Sequence, residues 1–203
     1  MKVQLLGYKI KCLHFGSQAE GTTVPGLQSD IDFLIGRNSL NIMRVRRDWK
    51  AGFINLLMLY DEITSTQQCL LHVYRMNTPK LVTELFDNRF VRKYSGEVLM
   101  SAERWKDEIE MINKDKGDVT QNWPSVSWIH NWDMVHAFAV CKPLPEIQHW
   151  IDKCTGRPWP PAQLLEAARV ASCFLVPAGH PDHDCKREEW RLSPDLIERM
   201  LLL

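Results

Sequence analysis

Asp30 and Asp32 stand one residue apart, bracketed by Ile31 and the apolar run Phe33-Leu34-Ile35. Alternate side chains of a β-strand share a face. The two carboxylates therefore point the same way, while their apolar neighbours anchor the strand in a core. Side-by-side carboxylates repel each other unless cations sit between them, so the strand has to place them where cations can reach. Upstream, Phe15-Gly16-Ser17 forms a tight turn. Glycine lets the backbone approach a phosphate closely, and serine adds a hydroxyl donor.

Taken singly, each piece is ordinary. Asp-x-Asp is common on solvated strand edges, and Gly-Ser is a loop signal. In this order, with apolar residues around both, they predict a nucleotidyltransferase palm in which Asp30 and Asp32 hold Mg²⁺ (or Mn²⁺) through oxygen ligands. The prediction needs a third acid nearby.

The 203 residues suit one domain, or one domain and part of another, and 45% apolar with 25% charged residues is ordinary for a globular core. Formal net charge is zero, so charge balance alone gives no case for nucleic-acid binding. The short basic runs at Arg44–Lys50 and Lys186-Arg187 read as solvated faces. No apolar run reaches the ~18–20 residues of a membrane span, and the N-terminus lacks a secretory pattern. A cytoplasmic protein with no membrane partner is expected. The six cysteines form no C-x-x-C pair and read mostly as buried free thiols of a reducing compartment. His180, His183 and Cys185 cluster in HPDHDC; that segment reads as a surface loop, with a zinc site as the alternative.

Along the chain, residues 3–15 read as a short helix or strand leading into the turn. Residues 40–59 and 61–73 leave strand and helix open. The apolar spacing over Thr78–Arg92 predicts a helix with Pro79 in its first turn. Ser101 caps a helix running to about Asn113. Asp133–Val140 predicts a buried strand, ended by Lys142-Pro143-Leu144-Pro145. Ala162–Leu175 predicts one helix. Glu189–Ser193 predicts a strand edge or turn, and Ser193-Pro194 predicts a new helix start.

These segments resemble a family. GSQAEGTTVPGLQSDIDFL resembles the active-site signature of the male-abnormal-twenty-one (Mab) family, which includes cyclic GMP-AMP synthase and its invertebrate receptor-like relatives. DMVHAFAVCKPLP resembles the strand bearing that family's third catalytic acid. PAGHP with EEWRLSPDLIERML resembles the junction between its catalytic core and a C-terminal helical domain. The resemblance implies a mixed α/β (α+β) fold, a DNA polymerase β-type nucleotidyltransferase core over residues 1–190, with residues 191–203 beginning a truncated helical domain.

Carried over residue by residue, the resemblance implies that Asp30, Asp32 and Asp133 are catalytic and bind metal. Gly16 and Ser17 would cradle a triphosphate, and Arg191, Ser193 and Glu198 would lie near bound nucleotides. For Arg191, an ion pair with Glu188 or Glu189 is the alternative. The implied activity is Mg²⁺-dependent joining of ATP, GTP or other nucleoside triphosphates into a cyclic dinucleotide for innate immune signalling, with double-stranded RNA or DNA as an activator. Pro194-Asp195 departs from the Phe-Ser pair of many relatives, which affects nucleotide selectivity. The competing readings are a catalytically inactive Mab-type scaffold and a fragment of a longer enzyme.

Overall fold

The computed structural model describes residues 2–5, 8–16, 30–60, 68–122, 124–140, 144–178, 187–194 and 197. The fold is mixed α and β. Thirteen strands are found among these residues: β1 (Lys2–Leu5), β2 (Tyr8–Phe15), β3 (Ile31–Arg37), β4 (Leu40–Met43), β5 (Ile54–Leu59), β6 (Gln68–Tyr74), β7 (Phe90–Arg92), β8 (Val98–Met100), β9 (Thr120–Asn122), β10 (Ser125–Ser127), β11 (Trp132–Val140), β12 (Cys173–Pro177) and β13 (Trp190–Ser193). With them come three helices, α1 (Ala102–Asn113), α2 (Pro145–Cys154) and α3 (Ala162–Val170).

Eleven strands form one sheet in the order β1-β2-β3-β11-β12-β13-β6-β5-β4, with β8 joining β6 and β7 joining β8; β9 and β10 make a separate hairpin. Most neighbours are antiparallel, but β3 runs parallel to β11 and β4 parallel to β5.

The main core fills one side of this sheet. Phe138 of β11 packs between Trp105 of α1 and Trp190 of β13, with ring centroids 4.8 and 5.2 Å away. Both indole N–H groups find acceptors, Trp105 on the His136 carbonyl (3.3 Å) and Trp190 on the Met100 carbonyl (2.9 Å), as buried tryptophans require. Helix α1 starts where Ser101 Oγ accepts the Arg104 N–H at 3.3 Å. It buries Ala102, Trp105 and Ile109, a helical stripe against the sheet. The opposite side of the sheet carries a smaller cluster of Leu34, Ala137, Ala139, Phe174 and Val176.

Asn41 and Asn55 face each other across β4 and β5. Asn55 is fully buried, accepts from Asn41 Nδ2 at 2.7 Å and from the Lys50 N–H at 2.9 Å, and donates to the carbonyls of Lys50 and Phe53. One buried side-chain amide thus pairs with the Lys50 N–H and the Lys50 and Phe53 carbonyls of the loop before β5.

The structure corrects three sequence-based expectations. No helix covers Thr78–Arg92: Leu81 bridges to Tyr74, the Val82 N–H bonds to the Val73 carbonyl, and Phe90 opens β7. The helix expected over Ala162–Leu175 stops at Val170, and Cys173–Pro177 is a fully buried strand. Residues 190–193 are no sheet edge, since β13 pairs with β12 on one side and β6 on the other. The residue 190/191 boundary therefore falls inside a strand of the sheet. Among the described residues no helix is long and apolar enough to cross a membrane. The described cysteines, Cys12, Cys69, Cys154 and Cys173, are free thiols, all but Cys12 buried.

Candidate functional site

Parallel pairing of β3 with β11 sets Asp133 directly beside Asp32. Register partners in neighbouring strands project to the same face, so the two carboxylates emerge together at the N-terminal ends of both strands. The start of this pairing is fixed by Asn131, whose carbonyl accepts the Ile31 N–H at 2.9 Å. Asn131 has φ 60, a conformation that asparagine tolerates better than most residues. Asp30 lies one residue before β3 and is exposed.

On the other side of β3, β2 pairs Phe15 with Asp32 and delivers the chain to Gly16. Gly16 has φ +79, and a Cβ there would lie 1.9 Å from Asp32 Oδ2 and 2.9 Å from its Cγ. The backbone of the turn lies against the Asp32 carboxylate, and any larger residue would have to displace the turn or that side chain. Glycine's freedom at positive φ here brings the turn onto the Asp32 carboxylate.

Asp133 is held from the hairpin. Ser125, buried in β10, has its hydroxyl 2.8 Å from Asp133 Oδ1 and 2.7 Å from the Asn122 carbonyl. Its single proton is shared between these acceptors. One carboxylate oxygen of Asp133 is thereby fixed in place.

A cleft of about 480 Å³ opens at this end of the sheet, lined by Asp30 and Asp133 together with Asp118, Thr120, Asn122 and residues 128–132. A larger cleft, about 750 Å³, lies on the outer side of α1 by Phe86, Asp87, Arg104 and Glu108. Of its acids, Asp87 and Glu108 are engaged by Arg89, and Asp107 also lines it.

Arg191 and Ser193 sit on β13, two strands from β11. Leu175 of β12 is level with both Phe138 and Leu192, and Ser193 pairs with Phe174, whose ring lies 2.6 Å from where a Gly36 Cβ would stand. Gly36 shares the face of Asp32 by alternation, so Arg191 and Ser193 belong to the carboxylate face. They stand roughly 10 Å across it at ~4.8 Å per strand, and well along it too: through Phe174, Ser193 is level with Ala139, roughly 20 Å along β11 from Asp133 at ~3.3 Å per residue. Arg191 is exposed and Ser193 buried. Glu188, one alternative partner for Arg191, is instead bound by Lys93 at 2.9 Å. Ser17, Glu198 and the His180, His183, Cys185 cluster lie outside the described residues.

Among the described residues no three His, Cys, Asp or Glu side chains converge closely enough to hold a metal ion. Asp32 and Asp133 supply two carboxylates in register and Asp30 a third on the adjoining cleft, all hard oxygen donors suited to Mg²⁺ or Mn²⁺. Sequence reasoning missed Ser125, Asn131 and Asp118. No sequence signal marks Ser125, because alternation with the core residue Val126 places both serines of Ser125–Ser127 on the opposite face.

No protein-family model matches the chain, and no curated protein matches it.

Proposed function

We propose that the chain is the core of a Mg²⁺-dependent nucleotidyltransferase of the DNA polymerase β type, resembling the Mab family. In this reading it joins nucleoside triphosphates, ATP or GTP among them, into a cyclic dinucleotide for innate immune signalling, with double-stranded RNA or DNA as its activator. One observation carries the reading: Asp32 and Asp133 are register partners on parallel strands, with the Gly16 backbone against the Asp32 carboxylate. A strand pair needs no such acid pair for stability, since adjacent like charges cost energy.

Asp32 and Asp133 would hold the metal together with the triphosphate oxygens, with Asp30 at the adjoining cleft, and the bound metal would neutralise the leaving pyrophosphate and make the attacking hydroxyl more acidic. The chain's own residues position the reactants. Gly16 lets the turn backbone close directly onto Asp32, and Ser125 keeps the Asp133 carboxylate in one orientation. A ribose hydroxyl oxygen bonds to the α-phosphorus, the bond from that phosphorus to the bridging oxygen breaks, and pyrophosphate leaves. The hydroxyl proton passes to a carboxylate or to water. Arg191 suits a phosphate or base edge through its planar fork.

A second reading, a non-catalytic Mab-type binding or scaffold protein, is favoured by the lack of a three-residue metal set among the described residues. Calorimetry with Mg²⁺ and ATP or GTP separates the two. The enzyme reading predicts Mg²⁺-dependent nucleotide binding that weakens strongly in Asp30→Asn/Asp32→Asn. Absence of binding by the unsubstituted chain supports the scaffold.

A further inference from the structure

The cleft beside Asp30 and Asp133 continues into a wall of different chemistry. Past the carboxylates it is lined by Trp128 and Trp132, with Thr120, Asn122 and Asn131 supplying hydroxyl and amide groups. A cation site alone needs only the acids, and a merely solvated edge needs no tryptophans. We propose that this wall is a nucleobase subsite, taking the purine or pyrimidine ring of a nucleoside triphosphate whose phosphates lie at Asp30, Asp32 and Asp133. The proposal rests on the nucleotidyltransferase reading and adds where the base sits.

Three features support it. About 480 Å³ lies within the range of pockets that enclose small ligands. Aromatic side chains bind bases of any sequence by stacking, and side-chain amides distinguish their edges. The Trp128 indole is also held in place before any ligand arrives. Lys116 Nζ stands 4.9 Å from the Trp128 ring centroid and donates to Asn113 Oδ1 at 2.7 Å, tying the indole to the end of α1. Gly117, at φ 151, passes so near that a Cβ would be 3.3 Å from the Trp128 carbonyl. Trp132 packs instead on Phe33, with centroids 4.7 Å apart, from the strand face opposite Asp32 and Asp133, so Trp128 is the stacking surface. Walls fixed in advance lose little entropy when a ligand docks.

The test is calorimetric binding of ATP, GTP, CTP and UTP, each with Mg²⁺, beside inorganic tripolyphosphate with Mg²⁺, which has phosphates and no base. Trp128→Ala is expected to weaken nucleotide binding about tenfold, within the range of a lost stacking partner, and to leave tripolyphosphate binding unchanged. Trp128→Phe is expected to recover most of the loss. Nucleotide affinity within twofold of the parent in Trp128→Ala overturns the subsite while leaving the nucleotidyltransferase reading intact. Failure of the parent to bind either ATP or tripolyphosphate overturns both. Because Trp128 also packs against the main core, the exposed Asn122 provides an arm that does not depend on its fold. Asn122→Ala is expected to shift the ratio of ATP to CTP affinity at least threefold, and an unchanged ratio counts against the subsite.

Discussion

Replacing Gly16 by alanine isolates the contact on which the site is built. The added methyl would stand 1.9 Å from Asp32 Oδ2, against about 3.3 Å for a close carbon–oxygen contact, so roughly 1.4 Å of displacement has to be absorbed. Gly52 gives the matching control, because it has φ +80 and nothing within 4 Å of where a Cβ would stand. Gly52→Ala therefore reports backbone strain alone, about 1–2 kcal/mol for an L-residue in the left-handed region. Gly16→Ala carries the same strain and then meets the carboxylate. If the turn gives way, overpacking adds about 1–3 kcal/mol. If the Asp32 side chain rotates instead, stability matches Gly52→Ala and Mg²⁺–ATP affinity falls at least tenfold. Urea unfolding of both variants, with Mg²⁺–ATP calorimetry, reads each route. Gly16→Ala equal to Gly52→Ala in stability and equal to the parent in Mg²⁺–ATP affinity refutes the argument.

Other substitutions probe the supports. Ser125→Ala removes the hydroxyl at Asp133 Oδ1; the loss of a hydrogen bond to a charged group, about 1.5–3 kcal/mol, predicts a fall in kcat of about 10- to 100-fold with little change in KM, measured by steady-state kinetics. Gly36→Ala brings a methyl 2.6 Å from Phe174 Cε1 and should destabilise by about 1–3 kcal/mol in urea, with partial rescue by Phe174→Leu. Asn55→Leu strips the loop backbone of its buried partners and should cost roughly 1–3 kcal/mol for each group left unsatisfied, read by the same urea unfolding. Burial, and then the charges of Arg37 and Lys116, pull the His136 pKa down to about 3. The unfolded chain takes up this proton first, so stability is lost as pH falls from about 6.5 towards 3, and His136→Leu should flatten that part of a stability–pH profile.

The site is more legible in the sequence than the architecture around it. Asp32 and Asp133 can be picked out because each opens an apolar strand, whereas Asp30, expected on the face of Asp32, lies one residue before β3. The parallel pairing of β3 with β11 cannot be read, since no local signal records which strands become neighbours. The Ser101 cap announces α1, but α2 is hidden because Pro145 reads as a terminator when it is the first residue of the helix, where its missing N–H costs nothing. The run ending at Leu175 reads as one helix because a strand buried on both faces has no alternation to betray it. Over residues 78–92 helical spacing arises by coincidence: Leu81, Val82 and Phe90 are held by strand contacts, while Leu85 and Phe86 are exposed. Ser125 and Asn131 are ordinary loop residues in sequence, and they acquire meaning only once the hairpin folds onto β11.

The central claim is that Asp30, Asp32 and Asp133 form the metal site of a nucleotidyl transfer reaction. Its most direct test is incubation of the chain with labelled ATP, GTP, CTP and UTP and Mg²⁺ or Mn²⁺, with and without double-stranded RNA or DNA, beside Asp30→Asn/Asp32→Asn. The account predicts metal-dependent release of pyrophosphate and a linked nucleotide product, both abolished in the double variant while its fold, followed by circular dichroism, is retained. Equal product from the double variant, or none from the parent under every condition, contradicts it.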